Sequence, residues 1–169
     1  MEKCRESTVY HKSQLFWLLL AVIALLIWSA AEFKSYFAGK PSYLGIGYIL
    51  FFIGILIWRY AFRYTCILNE HEMIVISQGL GISRTVRINL DDVESFADRY
   101  VKSFFRRTGI SRYLYRYSSG DNRPIRILVF KKKTKMHAVL FKSSDKFIEE
   151  LANLKPKQYL KLASDGSKK

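Results

Sequence analysis

Cysteine is almost absent from this chain of 169 residues. The two that occur, Cys4 and Cys66, stand on either side of the first apolar segment, so no disulfide framework is implied. That usage agrees with a reducing compartment. Histidine is equally scarce, and His11, His71 and His137 pair with no Cys, Asp or Glu at a metal-ligand spacing. There is no Gly-x-Ser-x-Gly, no phosphate-cradling glycine loop and no His-Glu-x-x-His. Asp91 and Asp92 are adjacent, so their side chains diverge, and they read as turn caps rather than a carboxylate pair. No catalytic residue, metal ligand or cofactor site is assigned, and the chain is not read as an enzyme. Acids are also few: 14 Asp and Glu stand against 28 Lys and Arg, a formal charge of +14.

What is abundant is apolar sequence, placed unevenly. The mean hydropathy of -0.01 averages two very different parts. Two uncharged runs lie back to back, Leu15 to Trp28 and Tyr43 to Trp58. Extended through their less apolar ends to 15–31 and 43–62, they cover roughly 25–30 Å as helices, about the thickness of a bilayer core. The expected spans are 15–31 and 43–62, joined by a short tip containing Gly39-Lys-Pro41. Residues 1–14 form a basic N-terminal segment, with Lys3, Arg5 and Lys12. The same basic start, with Ser29-Ala-Ala31 behind it, also fits a cleaved signal peptide. The run is long for that role, and a second span follows at once.

Positive charge at both ends places both termini in the cytoplasm of a multi-pass cell-membrane protein. Trp17, Trp28, Tyr43, Trp58, Tyr60 and Tyr64 lie near the segment ends, where interfacial aromatics are favoured, and Arg59 can snorkel. Gly45 and Gly47 lack the spacing of a helix-dimer motif. Neither apolar core contains Asp, Glu, His or Lys, so the hairpin reads as an anchor rather than a transport path.

From residue 63 the pattern changes to short, punctuated, β-rich segments. Strands are expected at 63–68, 72–77, 82–88, 93–101, 110–117, 125–130 and 136–142. The period then switches, placing Phe147, Ile148, Leu151 and Leu154 on one helical face. Ser143 or Ser144 caps this helix, Asp145 lies in its first turn, and Pro156 marks its end. Residues 63–154 therefore make one small domain, and 155–169 a basic, disordered tail. An antiparallel sheet of this length must manage its edges, so a seven-stranded barrel or sandwich closed by the helix is expected.

The segment from Tyr64 to Leu154 resembles bacterial PH-like (pleckstrin-homology-like) domains carried behind a two-helix membrane hairpin. The likeness rests on a strand leading into Gly79-Leu-Gly81, then on Arg87-Ile-Asn-Leu-Asp-Asp-Val-Glu94. It ends on Phe141-Lys-Ser-Ser-Asp-Lys-Phe-Ile-Glu-Glu-Leu151. Asn89 stands where the family usually has proline. The order of the parts carries the resemblance, and it implies a seven-stranded PH-like barrel capped by the C-terminal helix.

The strongest candidate for function is the acid-free stretch 99–117, where cations alternate with aromatics. Lys102, Phe104, Phe105, Arg106 and Arg107 form a basic-aromatic loop, with Arg112 and Arg116 behind it. Aromatics favour the membrane interface, and each cation gains about 1 kcal/mol near an anionic leaflet. The competing reading is a solvated basic face with one Phe folded into the barrel mouth. Lys131-Lys-Lys133 with Lys135 reads as a charged turn that keeps a strand end soluble.

The expectation is a non-catalytic scaffold or regulatory subunit, integral to the bilayer and touching anionic headgroups. A protein partner or a homo-oligomer fits the same surface. The alternative is a tethered domain that binds nucleic acid or an acidic protein. Two membrane spans weigh against nucleic acid, because the inner leaflet already accounts for the positive charge.

Overall fold

The computed structural model describes residues 2–40, 42–102, 109–118 and 120–162. The two apolar runs form α1 (Lys12–Phe37) and α2 (Tyr43–Tyr60), both long and apolar enough to cross a membrane. Only Gly45 and Ile49 of α2 are buried, and no residue of α1 is. His11 caps α1, accepting from the Ser13 amide, and Ser42 caps α2, accepting from the Gly45 amide at 3.1 Å. With 26 residues, α1 is about 39 Å long and runs six residues past the expected end at Ala31. No helix breaker occurs before Gly39, and the Ala38 amide still donates to the Lys34 carbonyl.

Nine strands are present among the described residues, divided between two sheets. The first sheet has the order β1-β2-β3-β4 and is antiparallel throughout. Its strands are β1 (Glu2–Ser7), β2 (Arg63–Asn69), β3 (Glu72–Gly79) and β4 (Ile82–Asn89). A turn with left-handed backbone at Leu80 and Gly81 (φ 52° and 74°) joins β3 to β4, the geometry that matches strand twist in a two-residue hairpin. A 3-10 turn (Leu90–Asp92), capped by Asn89 Oδ1 on the Asp91 amide, carries the chain into the second sheet. That sheet contains β5 (Val93–Ala97), β6 (Arg112–Arg116), β7 (Ile125–Lys132), β8 (Lys135–Lys142) and β9 (Tyr159–Leu160), ordered β6-β8-β7-β5-β9. The last helix, α3 (Asp145–Leu154), precedes β9.

Each of the seven segments expected as strands contains one, the fourth ending at Ala97 rather than Val101, but a single closed seven-stranded barrel does not form. Two further strands come from outside 63–154: β1 from the N-terminal segment, and β9 from the segment expected as a disordered tail, where a 3-10 turn (Pro156–Gln158) leads into pairing with β5. The two sheets stay separate, with β4 ending one and β6 ending the other. Pairing is not wholly antiparallel either: β6 lies parallel to β8, and β9 parallel to β5. The reason is steric occupancy. The β7–β8 hairpin takes one side of β8, and β5 takes the free side of β7. The open side of β8 is left for β6, and a strand running parallel to β5, as β6 does, must be joined to it by a crossover rather than a tight turn.

The main core lies between the sheets. Cys66, Leu68, Met73, Val75 and Ile88 come from the first, and Phe96, Leu128, Val139 and Phe141 from the second. Phe147, Ile148 and Leu151 of α3 close it, all fully or almost fully buried. A smaller cluster of Ala97, Ile127, Val129, Ala138 and Leu140 lies on the opposite face of the second sheet, under Tyr100, Ile110 and Tyr113. This double burial explains why β7 is almost continuously apolar rather than alternating.

Candidate membrane-facing site

The connection between helices and sheets is short on both sides, and one loop holds it. Ser118, Asp121 and Asn122, between β6 and β7, reach the segment that opens α1 and the last turn of α2. Ser118 Oγ donates to the Arg59 carbonyl at 3.3 Å, and Tyr10 Oη donates to the Tyr60 carbonyl at 3.3 Å. These carbonyls are among the orphan acceptors at a helix C-terminus, so the domain itself caps α2. The Val9 amide donates to Asp121 Oδ2, and Gln14 Nε2 to Asn122 Oδ1.

Two glycines permit the close approach. A side chain at Gly120 would meet the Tyr10 ring, and one at Gly79 would collide with the Ala61 carbonyl oxygen.

Arg123 locks the loop to β1. Its guanidinium donates to Glu6 Oε2 at 2.7 Å, to Asp121 Oδ2 at 2.6 Å and to the Ser7 carbonyl at 2.8 Å. Glu6 also accepts from the Ser144 amide at 2.9 Å and from its hydroxyl, while Ser144 Oγ caps α3 at the Phe147 amide. Burial pushes the Asp121 carboxyl up, but the Arg123 hydrogen bonds outweigh it and hold the group below its ordinary value. Burial also pulls the Lys142 ammonium below its ordinary value, opposed by Asp121. Lys142 donates to the Asp121 carbonyl and lies over the Tyr117 ring.

The end of the domain beside the helices is unusually apolar on its surface. Outside α1 and α2, the exposed large apolar side chains among the described residues are Val9, Leu80, Ile82 and Tyr115. All four lie at this end. The Gly79–Ala61 approach puts the β3–β4 turn, with Leu80 and Ile82, beside the end of α2. Tyr115 and Ile82 line a cavity of about 510 Å³ with Trp58, Arg59, Arg84 and Arg116. Residues of one edge strand from each sheet, β4 and β6, therefore face one space.

The residues singled out from sequence divide three ways. Arg112 and Arg116 share one face of β6, with Arg112 exposed and Arg116 half-buried on the cavity wall. Lys102 is exposed. Phe104, Phe105, Arg106 and Arg107 lie outside the described residues. Sequence reasoning did not find Arg84, Leu80 or Ile82 as site residues. Arg84 is one of several cations in alternating strands, and only the fold brings it to Arg116. A large apolar residue inside a two-residue turn, Leu80, with Ile82 directly after it, where polar residues are usual, was the available signal.

Among the described residues no group of three or more His, Cys, Asp or Glu is placed to hold a metal ion. Compared with family models, curated proteins and solved structures, the chain matches none.

Proposed function

We propose that this protein is a non-catalytic, membrane-anchored module, a scaffold or regulatory subunit whose β-domain rests on the inner leaflet. The observation that carries the reading is the clustering of Leu80, Ile82 and Tyr115 at the end from which α1 and α2 depart. Exposed apolar groups gathered on one end of an otherwise polar domain mark a contact surface, and the bilayer is the nearest apolar phase. The absence of a flexible linker supports it, since Thr8, Tyr10 and Ser118 bond directly to Tyr64, Tyr60 and Arg59.

We read the domain as PH-like. What supports this is the run of seven strands followed by α3 over the core, with β1, β9 and the parallel β6 as departures. Both termini are assigned to the cytoplasm. Pairing of β1 with β2 supports a same-side arrangement, because strands separated by a membrane cannot share hydrogen bonds. It also supports retention of α1, since cleavage behind α1 would remove β1 from the sheet. The positive-inside asymmetry then chooses the cytoplasmic side.

The test uses the full chain in lipid nanodiscs, with a fluorophore on Leu80→Cys in a Cys4→Ser background. Emission should shift to the blue and be quenched by lipid-borne nitroxides. The same probe on Lys132→Cys, at the exposed end of β7, should do neither. Equal, water-like emission at both positions would remove the leaflet contact.

A further inference from the structure

Three guanidinium groups stand around the cavity at the end of α2, and no described residue lining it is acidic. Arg59 comes from the last turn of α2, Arg84 from the edge strand β4 and Arg116 from the edge strand β6. Arg116 Nε is buried and has no hydrogen-bond partner. A buried, charged donor without an acceptor is costly, and native structures rarely tolerate one without a ligand or water to offset it. Most of the remaining wall is aromatic, from Trp58, Phe62, Tyr64, Tyr115 and Tyr117, and Ser77, Ile82 and Ser118 complete it. A volume of about 510 Å³ is within the usual range for a small-molecule site and ample for a phosphodiester headgroup.

We propose that this cavity holds the phosphate headgroup of one anionic phospholipid, drawn from the leaflet on which the domain rests. The recognised chemistry is a phosphate ester. Arg116 supplies an unpaired N–H and a planar fork suited to paired phosphate oxygens, and Arg59 and Arg84 complete the positive field. The leaflet is the source because Trp58, four-fifths exposed and on the last turn of α2, forms part of the wall. A lipid whose tails lie along α2 brings its headgroup to this wall without leaving the membrane. The site also gives a reason for the open edge between β4 and β6: hydrogen bonding between these strands would shut the cavity. The inference rests on the reading of α1 and α2 as membrane spans.

The full chain, purified in a zwitterionic detergent, would be titrated by native mass spectrometry with three probes. These are dihexanoyl phosphatidylglycerol, dihexanoyl phosphatidylcholine and inorganic phosphate. Phosphatidylglycerol should form a one-to-one complex, and phosphatidylcholine should bind about tenfold more weakly. Arg84→Gln and Arg116→Gln should each weaken the phosphatidylglycerol complex about tenfold, while Lys131→Gln should not. Arg84 is exposed, so its replacement leaves the core intact and keeps the test meaningful should Arg116→Gln lower the melting temperature. Equal binding of the two lipids, or unchanged binding by Arg84→Gln, overturns the site. Inorganic phosphate binding as tightly as phosphatidylglycerol overturns the lipid source and assigns the cavity to a soluble phosphate. Alkaline carbonate extraction of membranes tests the spans separately: release of the chain would remove the anchor reading whatever the titration shows.

Discussion

Arg123 and Glu6 meet at 2.7 Å although 117 positions of sequence and both long helices lie between them. The contact ties the strand that precedes α1 to the loop that caps α2. It also ties both to α3, because Glu6 holds the Ser144 amide. Arg123→Ala leaves two largely buried carboxylates, Glu6 and Asp121, without their shared cation. It should cost about 3 kcal/mol of stability, and Glu6→Gln about 1 kcal/mol. Thermal unfolding of the full chain in detergent measures both, and a melting point equal to the parent's for Arg123→Ala would show the bridge to be incidental.

Cys66 is covered by the same arrangement. It sits opposite Glu6 on β1 and Val75 on β3, and burial pushes its thiol up to about 12. A thiol so buried is almost wholly protonated at neutral pH and should resist iodoacetamide in the folded protein. Deleting residues 2–7 uncovers β2, and Cys66 should then be alkylated under native conditions. Protection that survives the deletion would show that the rest of the core alone shields it. The same dependence means that a fragment starting at Arg63 lacks a strand of its own sheet and should melt below the full chain.

The junction should weaken in acid. Asp121 has a folded-state value held below its ordinary 3.8, so its contribution is fully present above that value. It is lost as pH falls through the lower, folded value. The melting temperature of the parent should therefore drop below about pH 4 more steeply than that of Asp121→Asn, which has no carboxylate to protonate. Parallel curves for the two proteins would mean that other carboxylates govern acid unfolding.

Leu151 tests the role of α3. Its side chain is fully buried against both sheets. Leu151→Asp puts a carboxylate into an apolar core and should cost about 4 kcal/mol, whereas Leu154→Asp, at the half-buried end of the helix, should cost less. Equal melting of the two variants would mean that α3 does not close the core.

Much of the local structure could be read from residue pattern. Period-two alternation marked β4, the switch to a helical period at Phe147 marked α3, and Ser144 before Asp145 marked its cap. Strand β1 escaped because Glu2–Ser7 is charged and alternates only weakly, and it becomes a strand through hydrogen bonds to β2. Strand β9 is two residues long and carries no periodic signal. The parallel placement of β6 escaped because alternation reports which face is buried, not which neighbour supplies the ladder.

The candidate site divides in the same way. Arg116 stood out within an acid-free run, a one-dimensional property. Arg84 and Arg59 became part of one cavity only through the sheet edges and the end of α2.

Thus the sequence alone determined two apolar spans, a basic β-rich domain behind them and a C-terminal amphipathic helix, because hydropathy and period act over neighbouring residues. Tertiary structure decided that the N-terminus completes the domain, that two sheets remain open, and that three distant arginines surround one space. Those outcomes depend on which strand edges pair and which charges a crossover brings together, and contacts between such distant positions leave no local period.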